Sequence, residues 1–599
     1  MRRVATFLFV MSAGLGVAWA QPNSEAHVYS PYEEQTIARV LARHGVTVDA
    51  TPEGKLIEDV AVEVLDVIED RDPLPEALNA FHCTTRQHAI RRELLFKEGQ
   101  PFERALSDET ERNLRSLRQQ SLVVVLPLKG SAPDRVRVLV LGKDIWSLRL
   151  NTAYRITGRG IEALFVEPSE ENLFGMRRSI LSTFAYDPVT LSFGVRYIEP
   201  RLADSRILFS GAVNAIVNHE TGKTEGSFGS FDYGVPIYST RQKWAWGGSV
   251  AWREATTRRF SGTDLAVFNG DPETDPTNTC PNAARCIPVR YKSDVIAGTL
   301  GVTRSFPGKR VQLVQLGLSA DRRVYNPGDL GAYDADVAQR FLEQRVPTSV
   351  TRNGAFARYQ NYENRYAKLQ EVESLGLQEN FRLGFEGHAR IYPILTAFGS
   401  TQTLLGYSSA LSYTRELGDG LVRVLGAAGV EVPPAHDAIV NATVQGGLRL
   451  VTPRLGVGRL VADSTFTLRP YNGLNVTSSL GGDGRLRGYL SGFILGENVF
   501  AANLEFRTRS VQLWTFQMGG ALFYDVGDAF DSSSDFRLKQ GAGMGVRLGF
   551  PQLDRTVMRI DLGFPLTRGL PRSGWLDGLV ITFDQAFDMP AVGSAAVVR

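Results

Sequence analysis

The chain has 599 residues, with 66 Lys and Arg side chains against 64 Asp and Glu. Residues 1–20 carry Arg2 and Arg3, an apolar run from Val4 to Val17 and a small-x-small ending, which is typical of a cleaved secretory signal. Its removal leaves 64 basic against 64 acidic residues. This balance gives no support to a nucleic-acid partner.

We expect the mature chain to begin at Gln21. No later stretch has the roughly 18 uninterrupted apolar residues of a spanning helix, so a membrane crossing would need tilted strands of about 9–11 residues. A mean hydropathy of −0.12 is compatible with a membrane barrel or a soluble protein. Trp244, Trp246 and Trp252 share one face of an alternating segment, which favours a barrel with an aromatic girdle.

Segment 21–55 contains a predicted helix at residues 31–45, whose role the sequence does not reveal. Residues 56–145 predict a small α/β domain. Its first helix is predicted to begin with a capping box, in which Gln87 follows Thr84 by three residues. Its second helix is predicted to begin at Ser107. The predicted strands are 60–67, 122–126 and 136–141.

A glycine-rich segment, 481–489, precedes five stretches that alternate apolar and polar residues. Neighbouring strand residues face opposite sides of a sheet, so each stretch predicts one apolar face and one polar face. Glu505 and Asp525 lie on the polar faces. A glycine run can fold a loop back through a confined lumen, where Arg487 offers five donors to these carboxylates.

Several motifs together resemble a known family. Thr85-Arg86, Ile90 to Leu94 and Glu98 to Phe102 lie within an α/β pattern that resembles a POTRA (polypeptide-transport-associated) domain. The remainder resembles the barrel of the BamA/TamA-like outer-membrane assembly and translocation superfamily. That resemblance depends on three further motifs: Asn172-Leu173-Phe174-Gly175 after Glu171 at the barrel start, Leu486-Arg487-Gly488-Tyr489 in the reentrant-loop position, and Phe523-x-Asp525-x-Gly527 in a following strand.

The resemblance implies a mainly β protein, a 16-stranded antiparallel transmembrane β-barrel preceded by a small α/β POTRA domain. Eleven strands would precede the reentrant loop and five would follow it. The segment before Gly481 holds more than eleven strand-like stretches, so we expect the excess to be long strands or extracellular hairpins. The expected divisions are 1–20 signal, 21–55 periplasmic segment, 56–145 POTRA-like domain, 146–587 barrel with its reentrant loop at about 471–496, and 588–599 tail.

The resemblance also implies that Arg487 lies in the lumen and pairs with Asp525 and with Glu505. The alternative is that these charges line a wet pore without meeting. Phe587 resembles the terminal aromatic residue of a last barrel strand, although the chain continues past it. Family resemblance places the barrel in the outer membrane of a Gram-negative-type cell, with the POTRA domain in the periplasm.

The function implied is the assembly, insertion or translocation of other polypeptides, without nucleotide or cofactor and without enzymatic chemistry. The expected partners are the lipid bilayer and unfolded β-rich client polypeptides, which could pair with an exposed strand edge of the POTRA domain. That domain could instead be a spacer or dock periplasmic accessory proteins. Two alternatives to the whole function remain: a passive pore or surface-binding barrel, and a dedicated translocator of one partner.

Other motifs predict little chemistry. Cys280 and Cys286 lie in a long polar loop and could form a disulfide in an oxidising compartment, whereas Cys83 is expected to be a buried, inert thiol. Gly222-Lys223-Thr224 lacks the first glycine of a phosphate-binding loop, and His219-Glu220 lacks the second histidine of a zinc protease. No metal site or catalytic group is predicted, and the acidic loop near Asp271 is better explained as solvated than as a calcium site.

Overall fold

The computed structural model describes a chain with helices and many strands. The described residues are 31–70, 75–116, 119–157, 160–271, 280–434, 438–482, 485–513, 516–550, 557–567, 578–583 and Val592. The signal segment 1–20 lies outside them. The α-helices are α1 Pro31–His44, α2 Gln87–Arg91, α3 Arg104–Ser116 and α4 Ala335–Arg345. Among the described residues, no helix combines the length and apolar character that a membrane crossing requires.

The N-terminal domain is a three-stranded sheet with helices on both faces. Strand Arg135–Asp144 lies in the middle, parallel to Leu56–Leu65 and antiparallel to Gln120–Lys129. One face packs on α2 and α3 through a core that includes Ile90 and Leu114. The other face packs on α1 through Val40. Both faces of such a strand are apolar, so the alternation of apolar and polar residues cannot show which face packs on which helix.

Two expectations for this domain are wrong. The capping box does not form: α2 begins at Gln87 with no side-chain cap, because the Thr84 hydroxyl donates to Asp66 instead, at 2.9 Å. Cys83 is free and exposed rather than buried. In addition, α3 begins at Arg104, three residues before the predicted start at Ser107.

The larger part of the chain is a closed, antiparallel β-barrel. Its strands, counted here from the first to the twentieth, are Leu148–Thr157, Gly160–Leu173, Arg178–Tyr186, Thr190–Glu199, Leu208–Asn218, Thr224–Val235, Trp244–Arg258, Arg290–Phe306, Arg310–Asn326, Val350–Glu363, Gly384–Ile394, Leu404–Leu417, Gly420–Val432, Asn441–Val451, Gly458–Asn472, Asn498–Thr508, Phe516–Phe530, Lys539–Gly549, Val557–Pro565 and Leu579–Phe583. Val511–Leu513 continues the sixteenth strand, since both pair with the seventeenth.

The prediction of sixteen strands is therefore wrong, because the described residues form twenty. Five strands follow the glycine-rich loop, as expected, but fifteen precede it instead of eleven. Most of the excess segments are thus wall strands rather than extracellular hairpins. Alternation marks each strand separately and contains no information on how many strands close the cylinder.

Exposure alternates along the strands that follow the loop. Leu504, Leu522 and Met544 point outward and are exposed, whereas Glu505 and Asp525 point inward and are buried. The greasy side chains therefore cover the outside of the cylinder, and charged groups line the inside. This is the apolar-out, polar-in pattern of a barrel that meets lipid.

The N-terminal domain lies against one end of the barrel, here called the domain end. Arg201, in the turn after the fourth strand, donates to Glu93 of the domain at 2.7 Å, and both side chains are buried. Thr240, in the turn after the sixth strand, donates to Glu109 of α3 at 2.6 Å. The opposite end, here called the far end, carries the longer loops.

At the far end, α4 packs on the loop that follows the seventh strand, with Val337 and Phe341 in a shared apolar core. Asn475, at the base of the glycine-rich loop, donates to the carbonyl oxygens of Leu342 at 3.3 Å and Val346 at 2.7 Å. Its φ of 52° lies in the left-handed region, which asparagine tolerates. The glycine-rich loop is thus tied to the end of α4.

Candidate functional site

Two segments enter the barrel lumen from opposite ends. The glycine-rich loop, residues 473–497, folds in from the far end between the fifteenth and sixteenth strands. From the domain end comes a segment between the tenth and eleventh strands, in which Tyr366–Gln370 pairs with Gln378–Arg382. We call this second segment, residues 364–383, the inner hairpin. It forms its own two-stranded sheet.

Arg487 of the glycine-rich loop is buried against three carboxylates of the inner wall. Its Nε and Nη2 atoms donate to the two oxygens of Asp525 at 2.8 and 2.9 Å. Its Nη1 atom donates to Glu505 at 2.8 Å and to Asp561 at 3.0 Å. The planar guanidinium group thus satisfies one carboxylate with both prongs of its fork and bridges two more, an arrangement that lysine could not reproduce.

Three wall arginines complete the cluster. Arg507 donates to Glu505 at 2.8 Å, Arg547 bridges Glu505 and Asp561 at 3.1 and 2.5 Å, and Arg559 donates to Asp561 at 3.0 Å. Glu505 and Asp561 are therefore shared among several arginines. Within the described residues, the arginine that contacts Asp525 is Arg487. A buried charge is tolerated only when it is paired, so Asp525 depends most strongly on the loop.

The Phe523-x-Asp525-x-Gly527 motif has a local physical explanation. Its three residues face the lumen on alternate positions of the seventeenth strand. The Arg487 guanidinium carbon lies 3.5 Å from the centre of the Phe523 ring, in a cation–π contact. A Cβ atom at Gly527 would come within 2.8 Å of the Leu480 side chain. The motif therefore supplies a stacking surface, a carboxylate and room for the loop.

Glycines also allow the loop backbone to approach the wall. Gly488 has a φ of 92°, and a Cβ atom there would lie 2.7 Å from the Phe564 nitrogen. Gly563 precedes Phe564 on the wall strand that faces the loop, and a Cβ atom there would lie 2.6 Å from the Gly488 nitrogen. Leu486 and Tyr489 are buried on either side, and the Tyr489 hydroxyl donates to the Gln540 carbonyl oxygen at 2.6 Å. The loop is thus packed against the wall as well as paired with it.

The motif Asn172-Leu173-Phe174-Gly175 lies apart from this cluster. The Asn172 amide donates to the Cys83 carbonyl oxygen at 2.6 Å and to the Thr85 hydroxyl at 2.9 Å. Gly175 has a φ of 68°, and a Cβ atom there would lie 2.5 Å from the Thr84 carbonyl oxygen. The motif therefore joins the turn after the second barrel strand to the N-terminal domain. Leu173 ends the second strand, and Phe174 is exposed.

The inner hairpin bridges the N-terminal domain and the cluster. Towards the domain, the Arg112 guanidinium carbon lies 4.4 Å from the centre of the Tyr366 ring, and Lys368 lies 3.7 Å from Glu111. Towards the cluster, Arg507 donates to the Val372 carbonyl oxygen at 2.8 Å. Because Arg507 also binds Glu505, a continuous series of contacts runs from α3 through the hairpin to the partners of Arg487.

The structure brings together Arg487, Asp525 and Glu505 and also joins Cys280 to Cys286 in a disulfide with Cα atoms 5.9 Å apart. Sequence reasoning missed the role of Asp561, although its position on a polar face was a usable signal. Asp483, Phe587 and most of the tail lie outside the described residues. Val592, the described residue of the tail, packs on the inward-facing Ala410 and Ala427. Among the described residues, no group of three or more potential ligands is placed to hold a metal ion.

No protein-family model matches the chain, and no curated protein matches it. Solved structures similar to it include BamA from Haemophilus ducreyi lacking POTRA domains 1–3, at 12% identity and a TM-score of 0.32, over 92% of this chain and 91% of that one. CdiB from Escherichia coli has 12% identity and a TM-score of 0.43, over 92% and 82%. CdiB from Acinetobacter baumannii has 11% identity and a TM-score of 0.38, over 90% and 77%. All three similarities are low in sequence identity and in TM-score.

Proposed function

We propose that this protein belongs to the BamA/TamA-like superfamily and inserts, assembles or translocates other polypeptides at the outer membrane. The N-terminal domain is then a POTRA domain in the periplasm, the domain end faces the periplasm, and the far end faces the exterior. The exposed apolar side chains of the wall are suited to contact with lipid. The sequence motifs of this family coincide with the residues that anchor the loop and dock the domain.

The observation that carries the proposal is the junction between the first and last strands. Within the described residues, these strands are registered at two residue pairs, Val580 with Arg155 and Ile581 with Tyr154. Backbone groups in lipid must be hydrogen-bonded, and each unsatisfied group costs several kcal/mol. An incoming β-strand that pairs with the first strand, Leu148–Thr157, at this junction would satisfy such groups.

The proposed process needs no nucleotide, because each client strand gains hydrogen bonds and lipid burial as it enters. We propose unfolded β-rich polypeptides as clients, received by the periplasmic domain. Two other roles remain as alternatives: a passive pore or surface-binding barrel, and a dedicated translocator of a single partner. The filled lumen is unfavourable for a passive pore, since a loop and a hairpin both occupy it.

Depletion of the protein, followed by a quantitative inventory of outer-membrane and secreted proteins, tests this assignment. We expect the levels of several barrel proteins to fall while their transcripts stay constant. The loss of one secreted protein alone would support the dedicated translocator. An unchanged inventory, together with steady conductance in planar bilayers, would support the passive pore. Reconstitution provides a direct check: liposomes containing the purified protein should protect a denatured barrel client from protease in the absence of nucleotide.

A further inference from the structure

Three apolar side chains of the inner wall lie beneath the inner hairpin. Leu421, Val451 and Val461 point into the lumen on the thirteenth, fourteenth and fifteenth strands and are fully buried. They are neighbours in register, since Leu421 pairs with Val451 and Val451 with Val461. We call these three residues the apolar row. The next residue in the same register is Glu505, a partner of Arg487.

The inner hairpin covers the apolar row with alternate side chains. Ala367 and Leu369 of its first strand, and Phe381 of its second, are buried in one cluster with the row. The intervening residues, Tyr366 and Lys368, face the N-terminal domain. The hairpin is thus an amphipathic ribbon with one apolar face and one polar face. A membrane β-strand before it reaches lipid has the same pattern.

In the described part of the chain, strand pairing does not join the hairpin to the barrel wall. The hairpin pairs with itself, and within the described residues its two strands are not part of the barrel sheet. Arginine side chains hold its turn, through Arg507 on Val372 at 2.8 Å and Arg459 on Gln370 at 3.3 Å. Displacing the hairpin would therefore break side-chain contacts but no backbone hydrogen bond between barrel strands. A cavity of about 430 Å³, lined by Tyr366, Arg382 and α3 side chains among others, lies beside it at the domain end.

We propose that the apolar row is a docking surface for an extended client segment with apolar side chains at alternating positions, and that the inner hairpin occupies this surface until the client displaces it. The inference rests on the proposed function and specifies its client. The hairpin occupies the position that the client strand takes when it binds. Because Arg507 contacts both the hairpin and Glu505, displacement of the hairpin changes the surroundings of the Arg487 cluster.

A reversible tether tests whether the hairpin must leave. A Cβ atom at Gly549 would lie 3.1 Å from the Cβ atom of Leu375 at the hairpin turn, and disulfide-bonded Cβ atoms lie about 3.5–4.5 Å apart. The pair Leu375→Cys and Gly549→Cys can therefore close with a shift of a few tenths of an ångström. Cys83→Ser removes the free native thiol. Each variant that carries only one of the two introduced cysteines, in that background, is a single-cysteine variant for this purpose and serves as a matched control.

We expect the oxidised tether to reduce client insertion into liposomes by at least about tenfold, because it removes the displaced state from the equilibrium. Reduction of the tether should restore the rate, and the single-cysteine variants should match the parent protein. Equal insertion by the oxidised and reduced forms would overturn the inference but leave the proposed function standing. Failure of the parent protein to insert any client would instead reject the proposed function.

A labelling experiment tests the nature of the client. Ala367→Cys, in the Cys83→Ser background, places a thiol on the buried face of the hairpin. We expect a peptide with alternating apolar residues to speed maleimide labelling of this thiol about tenfold, by making the displaced state the majority state. A peptide of the same composition but without alternation should leave the rate unchanged. Equal rates with both peptides, whether raised or not, would contradict the assignment of the apolar row.

Discussion

Replacing Arg487 with alanine should release the glycine-rich loop from the wall. The substitution removes the guanidinium group that contacts Asp525. That buried carboxylate keeps two uncharged donors, the Asn503 amide at 2.8 Å and the backbone N–H of residue 487 at 3.1 Å. Glu505 keeps Arg507 and Arg547. Breaking one buried ion pair costs about 3–5 kcal/mol. The free energy that holds the loop closed should fall by about this amount, most of it arising at Asp525.

Arg559→Ala is the matched control. It also removes one buried arginine from the cluster, so the change in formal charge is the same. Asp561 would still accept hydrogen bonds from Arg487 at 3.0 Å and from Arg547 at 2.5 Å. No carboxylate loses its sole arginine, and the cost should be about 1 kcal/mol. The comparison therefore separates the loss of a specific pairing from a general change in lumen charge.

Hydrogen exchange of the backbone amides at 485–490, measured in liposomes, reports directly on loop opening. A loss of about 3–5 kcal/mol speeds exchange between roughly a hundredfold and a few thousandfold. Arg487→Ala should show this increase and Arg559→Ala less than about tenfold. Adding Asp525→Asn to Arg487→Ala should recover part of the protection, since the stranded charge is gone. Equal acceleration in the two single variants would refute the reasoning.

The same perturbation has a functional consequence under the proposed role. Arg487→Ala should impair client delivery more than its own insertion into the membrane, because the lumen cluster is remote from the lipid-facing surface. Quantifying the variant and its clients in the same membrane fraction measures both effects. Client levels equal to those with the parent protein, at equal amounts of variant, would count against a role for the loop in delivery.

Three further predictions concern the loop, the hairpin and the domain contact. Gly563→Ala should expose the amides at 485–490 to exchange, because its Cβ atom would lie 2.6 Å from the Gly488 nitrogen, whereas Gly519→Ala, with its nearest atom at 3.6 Å, should not. Burial raises the pKa of Glu379 to about 7, so the docked conformation of the hairpin turn favours the protonated carboxyl. The resulting stabilisation of the docked turn is complete below about pH 4.5 and is lost as the pH rises through about 7. Exchange at residues 371–377, corrected for its intrinsic rate, should therefore accelerate from pH 5 to pH 8, and Glu379→Gln should remove that dependence. Arg201→Ala should remove the hydrogen bonds of Arg201 to the buried Glu93 and leave that carboxylate with the more distant Arg206, 3.5 Å away. Domain docking should weaken by about 1.5–3 kcal/mol, seen as faster proteolysis after residue 199, and a rate equal to that of the parent protein would contradict this.

The strands after the glycine-rich loop could be predicted because each of them meets lipid on one side and a polar lumen on the other. Leu504 and Glu505 take opposite sides for that reason, and the alternation is local to each strand. The number of strands could not be predicted in the same way. It depends on how the first strand meets the last, which no local pattern records, and the family resemblance suggested sixteen instead of twenty.

The inner hairpin shows why the site was only partly predictable. Ala367, Leu369 and Phe381 have the same alternation as a wall strand, because their apolar face packs on Leu421 and its neighbours in place of lipid. Alternation shows that a face is apolar but not what covers it. The pairing of Arg487 with Asp525 followed from motif resemblance, whereas the contribution of Asp561 required knowledge of which strands come together in the lumen.

The capping-box error has a similar origin. Thr84 and Gln87 have the right spacing, but a hydroxyl bonds to whichever acceptor the tertiary fold brings nearest. Asp66 takes the Thr84 hydroxyl, and Asp144 takes that of Thr85. These acceptors are distant in sequence, so a local pattern could not identify them.

The hydrogen bonds between Asn475 and the end of α4 constrain how the sequence at the far end of the barrel can vary. Asn475 contacts carbonyl oxygens and not the side chains of Leu342 and Val346. Residue 342, whose side chain is exposed, can therefore be substituted while its backbone keeps the same position. Insertions or deletions between α4 and the tenth strand would move those oxygens and disturb the loop base. Variation at this surface should therefore accumulate as substitutions, while the length of the segment stays fixed.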